Sequence, residues 1–297
     1  MVETPEAHGQ PTFSFGIWKS VSIVTVDDGS AAITHVVPHV YYKGAHLRTK
    51  SGERGGPFEV QVAVHLRSLG TAGGRGVVGT VAVIGGWQAA TAGGNGYADE
   101  GAGVFLPTVF PTASANVTIP PTSSSGEATV HLTLHADHST LLWWPNGMGK
   151  QVLYNVTATF TPSAAAGARA TAAAGAGAAP PTVASAVSAA TPDAGPGGTI
   201  TAVRRIGFRT IHLVTGNDTD PAFVAAGGDG SANMTMLLRV NGAAVFARGS
   251  NHVPLEELEG RASAEASRRT MVSAAEGGMN TVRLWAGGIY EYSAWYE

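Results

Sequence analysis

Phe58-Glu59-Val60-Gln61-Val62-Ala63-Val64-His65-Leu66 is the run from which the fold is read. Phe58, Val60, Val62, Val64 and Leu66 fall on one side of an extended chain, and a period of two predicts a half-buried strand. Val21-Ser22-Ile23-Val24-Thr25-Val26 repeats the pattern, as do residues 77–84, 128–134 and 153–160. Clusters of Gly, Pro and Ser separate these runs, the punctuation of a β-sandwich. Helical periodicity is absent from residue 16 to about 160. The fold class expected is mainly β: a β-sandwich, followed by the beginning of a parallel sheet or barrel.

The barrel expectation comes from the last part of the chain. Leu237-Leu238-Arg239-Val240 and Ala243-Ala244-Val245-Phe246-Ala247 flank Asn241-Gly242, the pair that favours a type I′ hairpin turn. A helix is predicted from Ser263 to Ala275, ended by Gly277-Gly278, and a strand over Thr281-Val282-Arg283-Leu284-Trp285. Strand, helix, strand opens a parallel βαβ series. Residues 163–199 run through Ala, Gly and Pro with no large apolar side chain to bury, and read as a disordered insertion between two strands of one sandwich. The expected domains are 1–45, 46–220 with that insert, and 221–297.

Composition narrows the function classes. Among 297 residues, 18 Lys+Arg against 21 Asp+Glu leave a formal charge of −3 and no basic stripe, so no nucleic-acid partner is expected. The absence of cysteine removes disulfides, zinc–thiolate sites and thiol nucleophiles. No apolar run approaches the roughly 18 residues of a membrane span, and residues 1–6 have neither the basic nor the apolar region of a signal peptide. Asn116, Asn155, Asn217 and Asn233 head Asn-x-Ser/Thr sequons, which point towards a secretory or vacuolar route.

Several apparent motifs fail on context. Gly74-Arg75-Gly76-Val77-Val78-Gly79 matches a dinucleotide fingerprint but precedes a strand, so no helix N-terminus would hold a pyrophosphate. His131 and His135, near Asp137 and His138, alternate with Leu132 and Leu134 and read as solvent-facing; no metal is expected. Leu141-Leu142-Trp143-Trp144-Pro145-Asn146-Gly147 carries more. Adjacent tryptophans point to opposite faces, Pro145 ends the strand ladder and Asn146-Gly147 turns the chain. They read either as a plug, one ring in the core and one against a neighbour, or as a platform for a sugar.

Residues 143–154 resemble the W-W-P-N-G-x-G-x-Q-x-L-Y stretch of family 2 glycoside hydrolases, in particular the β-mannosidases. Four further segments are similar in the same order: Gly16-Ile17-Trp18-Lys19, Arg205-Ile206-Gly207-Phe208-Arg209, Asn241-Gly242 with Phe246 to Asn251, and Met279 to Glu291. The resemblance implies that residues 1–45 end a jelly-roll domain, that the fold is an immunoglobulin-like β-sandwich followed by the beginning of a (β/α)8 TIM barrel, and that the intact enzyme removes terminal β-D-mannose with retention, without a cofactor. Its partner would be a β-mannoside oligosaccharide, and its location lysosomal, vacuolar or secreted.

Retention requires two carboxylates about 5–5.5 Å apart. In the family both are Glu, after barrel strands four and seven, one of them within an Asn-Glu pair. No Asn-Glu occurs here, so the resemblance implies that both lie beyond Glu297 and that the chain alone is inactive. The substrate-binding residues implied are Trp285 as a wall of the −1 subsite, Arg283 orienting the carboxylates, and Asn251 at the end of strand one. Glu291 reads instead as a carboxylate at a helix start. Ala286 and His252 depart from the family pattern. The alternatives are a non-catalytic sandwich module for carbohydrate binding or adhesion, and another family 2 specificity such as an exo-glucosaminidase.

Overall fold

The computed structural model describes residues 23, 25, 30–45, 52–68, 76–87, 110–163, 193–195, 198–216, 236–253, 255, 263–285 and 293–296. Strands β1 (Ala31–Tyr42), β2 (Phe58–Ser68) and β5 (Glu127–Ala136) form an antiparallel sheet in the order β1-β2-β5. Strands β3 (Val77–Gly85), β4 (Thr112–Ile119), β6 (Tyr154–Pro162), β7 (Asp193–Gly195) and β8 (Thr199–Ile206) form a second, in the order β4-β3-β6-β8-β7. Their inner faces supply one core. Phe58, Val60, Val62, Val64 and Leu66 are all buried in it, together with Val77, Val81, Val83, Val156, Phe160 and Ile200. The alternation read from residues 58–66 is therefore the alternation of the sandwich.

Gly79 faces that core, and a Cβ there would collide with the ring of Phe160. The glycine that completed the apparent dinucleotide fingerprint makes room for an aromatic ring. At one end of the core, Phe208 lies 5.1 Å from Phe58, 5.0 Å from Trp87 and 5.5 Å from Tyr154, ring centroid to ring centroid. Tilted and edge-on aromatic packing of this kind adds to the area it buries.

Three strand expectations change. Ile23 and Thr25 lie outside any strand, with Ile23 91% exposed, and the rest of 21–26 is outside the described residues. The first strand among the described residues is β1, which Pro38 disguises; an edge position tolerates the missing N–H. Strand β4 escapes the alternation test because two of its four inward positions are the small Ala113 and Ala115. The single run expected at 203–211 is broken: β8 ends at Ile206, and β9 (Ile211–Val214) pairs elsewhere. Most of the 163–199 insert is outside the described residues, but β7 and Thr199 are not disordered, since Asp193, Ala194 and Gly195 pair with Thr201, Ile200 and Thr199. Strands β6 and β8 are antiparallel neighbours, as an insertion between two strands of one sheet requires.

Pairing also crosses both expected domain boundaries. Strand β1 falls within 1–45 yet pairs with β2 along its length, and β9 falls within 46–220 yet pairs with β10 (Leu237–Val240). Strand β10 turns into β11 (Ala243–Val245) through Asn241 (φ 49°) and Gly242 (φ 79°), the two left-handed residues of a type I′ turn. Then come β12 (Gly249–His252), helix α1 (Ala264–Glu276), β13 (Thr281–Leu284) and helix α2 (Ser293–Tyr296). Ser263 caps α1, its Oγ accepting from the Ala266 N–H at 3.1 Å, and Gly278 ends it at φ 81°. Strands β12 and β13 pair in parallel, so the expected strand–helix–strand unit is present.

Phe208→Ala is expected to cost about 3–5 kcal/mol, because it empties the centre of the aromatic cluster. Phe208→Leu should cost clearly less. Urea unfolding of both variants checks this.

Candidate functional site

Strands β12 and β13 meet closely at their start. Gly249 lies against Thr281, and any Cβ there would strike the Thr281 carbonyl oxygen. Asn280 ties the segments leading into both strands: its Oδ1 accepts from the Arg248 N–H at 2.9 Å and its Nδ2 donates to the Phe246 carbonyl at 3.1 Å. At the other end the Trp285 N–H donates to the His252 carbonyl at 3.1 Å. The register set between these ties places Asn251 directly opposite Arg283.

The two side chains join. Arg283 Nη1 donates to Asn251 Oδ1 at 3.0 Å, and both residues are exposed. A guanidinium has five donors in a fixed plane, so one bond to a neighbouring strand orients the whole fork. Such a fork suits a carboxylate or adjacent hydroxyls. Trp285 follows one residue past the end of β13 and is half-buried. All three candidate residues thus gather at the C-terminal ends of two parallel strands. His252 is buried, its ring 5.3 Å from that of Trp295 on α2, so the imidazole packs as an aromatic would. Gly287, Ala286 and Glu291 lie outside the described residues.

The tryptophan pair has the geometry of the plug. Trp144 is buried in the sandwich core, beside a pocket of about 110 Å³ whose walls include Glu53, Met148 and Lys150. The Arg209 guanidinium lies 4.6 Å over the Trp143 ring, and burial lowers the pKa of that guanidinium from its ordinary value. The Trp143 N–H donates to the Phe208 carbonyl at 2.8 Å, and the Trp143 carbonyl accepts from Asn241 Nδ2 at 2.9 Å. Asn241 is fully buried, and its Oδ1 also accepts from the Thr210 N–H at 2.9 Å. Burial likewise raises the pKa of the Tyr154 phenol, whose oxygen accepts from the Leu141 N–H at 3.1 Å.

Asn146 makes a contact that sequence reasoning missed. Its Nδ2 donates to the carbonyls of Ala275 (2.9 Å) and Met279 (3.0 Å), at the C-terminal end of α1. An Asn-Gly pair signals a turn, but nothing local signals where the free amide will bond. Asn116 and Asn155 are exposed on the outer face of the five-stranded sheet, while Asn217 and Asn233 lie outside the described residues. His131 and His135 are exposed, as expected. Among the described residues, no group of three or more His, Asp or Glu side chains is placed to hold a metal ion.

Comparison with known proteins agrees with the motif resemblance. No family model matches the chain. It is 28% identical over 174 residues to the β-mannosidase of Capra hircus, covering 58% of this chain and 15% of that protein. To β-mannosidase A of Neosartorya fischeri it is 30% identical over 182 residues, 61% of this chain and 15% of that one. The chain therefore spans about 15% of the length of these relatives. A crystal structure of β-D-mannosidase from Dictyoglomus thermophilum superposes with a TM-score of 0.51 at 17% identity, covering 90% of this chain and 23% of that one, a similarity of fold. In sequence the chain is similar to β-mannosidases over that part of their length.

Asn241→Gly, which keeps the backbone conformation but loses both side-chain bonds, is expected to destabilise by about 1–3 kcal/mol. Asn241→Ala should cost more, because it keeps a Cβ at positive φ without the short amide that lets Asn adopt that conformation, whereas Gly adopts it freely. Denaturant titration of the two variants side by side checks the order.

Proposed function

We propose that this chain serves a retaining exo-β-mannosidase, which hydrolyses terminal non-reducing β-D-mannose residues of oligosaccharides and glycoproteins. The observation that carries the reading is the Arg283–Asn251 bond at the C-terminal ends of β12 and β13, within segments that resemble the β-mannosidase motifs. In this reading β12, α1 and β13 open a (β/α)8 barrel, whose catalytic face lies at the C-terminal ends of its strands. In such a barrel the nucleophile and acid/base Glu would come from later strands than these two.

Within such a site the residues present here bind and orient. Asn251 holds the Arg283 fork so that its remaining N–H donors meet a carboxylate in one orientation and favour its ionised form. Trp285 would offer its indole to the C–H face of the sugar. The reaction then divides between a carboxylate that attacks the anomeric carbon and one that protonates the departing oxygen, later activating water. A lysosomal, vacuolar or secreted location fits the sequons at Asn116 and Asn155.

The test is hydrolysis of p-nitrophenyl glycosides by the complete product of the encoding gene. The β-D-mannoside is expected to be cleaved in preference to the β-D-galactoside and the β-D-glucosaminide, with retention. Arg283→Ala should lower kcat/KM by about a hundredfold or more. The 297-residue chain alone should show no turnover. Preference for another glycoside would assign a different specificity, and no cleavage of any would leave a non-catalytic module.

A further inference from the structure

The outer face of the β1-β2-β5 sheet carries an unusual set of side chains. Five of the chain's ten histidines stand on it: His35 and His39 from β1, His65 from β2, His131 and His135 from β5. Two of them meet. His35 lies directly opposite His65 in the β1–β2 register, with ring centroids 6.0 Å apart and ring planes perpendicular.

A backbone irregularity creates that meeting. Ile33 pairs with Leu66, but His35 pairs with His65, so Thr34 is one residue extra. In an unbroken ladder Thr34 would oppose His65, and His35 would oppose the core residue Val64. The bulge turns His35 outward instead, and Thr34 Oγ1 donates to the His65 carbonyl at 3.3 Å across it. On the other side, Thr129 Oγ1 lies 2.9 Å from His65 Nδ1. With Nδ1–H donating to that hydroxyl, the lone pair of Nε2 is free for another partner.

We propose that His35 and His65 form a two-imidazole site for a divalent transition-metal ion of the Cu²⁺, Ni²⁺ or Zn²⁺ class. Imidazole nitrogen suits these ions. Two rings bound to one ion at 2.0–2.1 Å in tetrahedral geometry sit roughly 5 Å apart, so about 1 Å of side-chain adjustment closes the pair. Water or a group from a bound partner completes the coordination. Thr129 acts as a positioning residue that fixes the His65 ring. The charged groups on the same face are committed to one another: Lys43 to Glu59 at 3.3 Å and Arg67 to Glu127 at 3.9 Å. This site is on the sandwich and does not depend on the glycosidase reading.

The probe is Cu²⁺ added to the full 297-residue chain without an affinity tag, followed by paramagnetic broadening of the histidine ring signals. His35 and His65 should broaden first, at lower Cu²⁺ than His131 and His135. His35→Gln or His65→Gln should each weaken binding at least about tenfold, and Thr129→Val by a smaller factor. His131→Gln should leave it unchanged. All four substituted residues are on the outer face, so the variants should keep the circular dichroism of the parent. Simultaneous broadening of every histidine, or affinity unmoved by both His35→Gln and His65→Gln, would overturn the site.

Discussion

The backbone of Trp143 is the point on which the two parts of this chain are joined. Its N–H is taken by Phe208, at the end of the sandwich core, and its carbonyl by Asn241, in the hairpin that follows. Its ring lies under Arg209. Residues 207–210 thus make a different contact at each step: Gly207 against the Trp143 side chain, Phe208 in the core, Arg209 over the indole, and Thr210 bonded through its backbone to Asn241. A buried backbone group left unpaired is costly, so these bonds fix one arrangement.

From that join the constraint passes outward. Asn146, three residues on, ties the C-terminal end of helix α1 by donating to the Ala275 and Met279 carbonyls. The helix needs such a tie, because Ser267 is its one buried residue and apolar packing alone would hold it weakly. With α1 placed, Asn280 sets the start of β13 against β12, and Arg283 comes opposite Asn251. The candidate site therefore rests on three asparagine side chains, at 146, 241 and 280. Each bonds backbone groups of a segment distant from it in sequence.

The two sheets of the sandwich also differ in what their outer faces can do. On the five-stranded sheet, the outward side chains of β6 and β4 include Asn155, Thr157, Thr159, Ser114, Asn116 and Thr118, uncharged and hydrogen-bonding. The three-stranded sheet turns imidazoles outward instead. Both faces cover the same core. Nothing in packing demands the difference, so it belongs to the surface chemistry of each sheet.

Local pattern in the chain settles whatever a few neighbouring residues can settle. Alternation fixed β2, β3, β5 and β6, because the inner face must be apolar at every second residue; Asn241-Gly242 fixed the hairpin, because both residues must take positive φ; Ser263 and Gly277-Gly278 bounded α1. Motif similarity named Asn251, Arg283 and Trp285. Folding in three dimensions settles what depends on partners distant in sequence. Strand β1, disguised by Pro38, is a strand because β2 supplies its bonds, and β9 left the sandwich because Asn241 and β10 take Thr210 and the residues after it. The Asn146 latch spans more than a hundred residues, and the His35–His65 pair exists only through a one-residue bulge. No period in the sequence records either, since each is a fact of register between segments that the chain brings together only when folded.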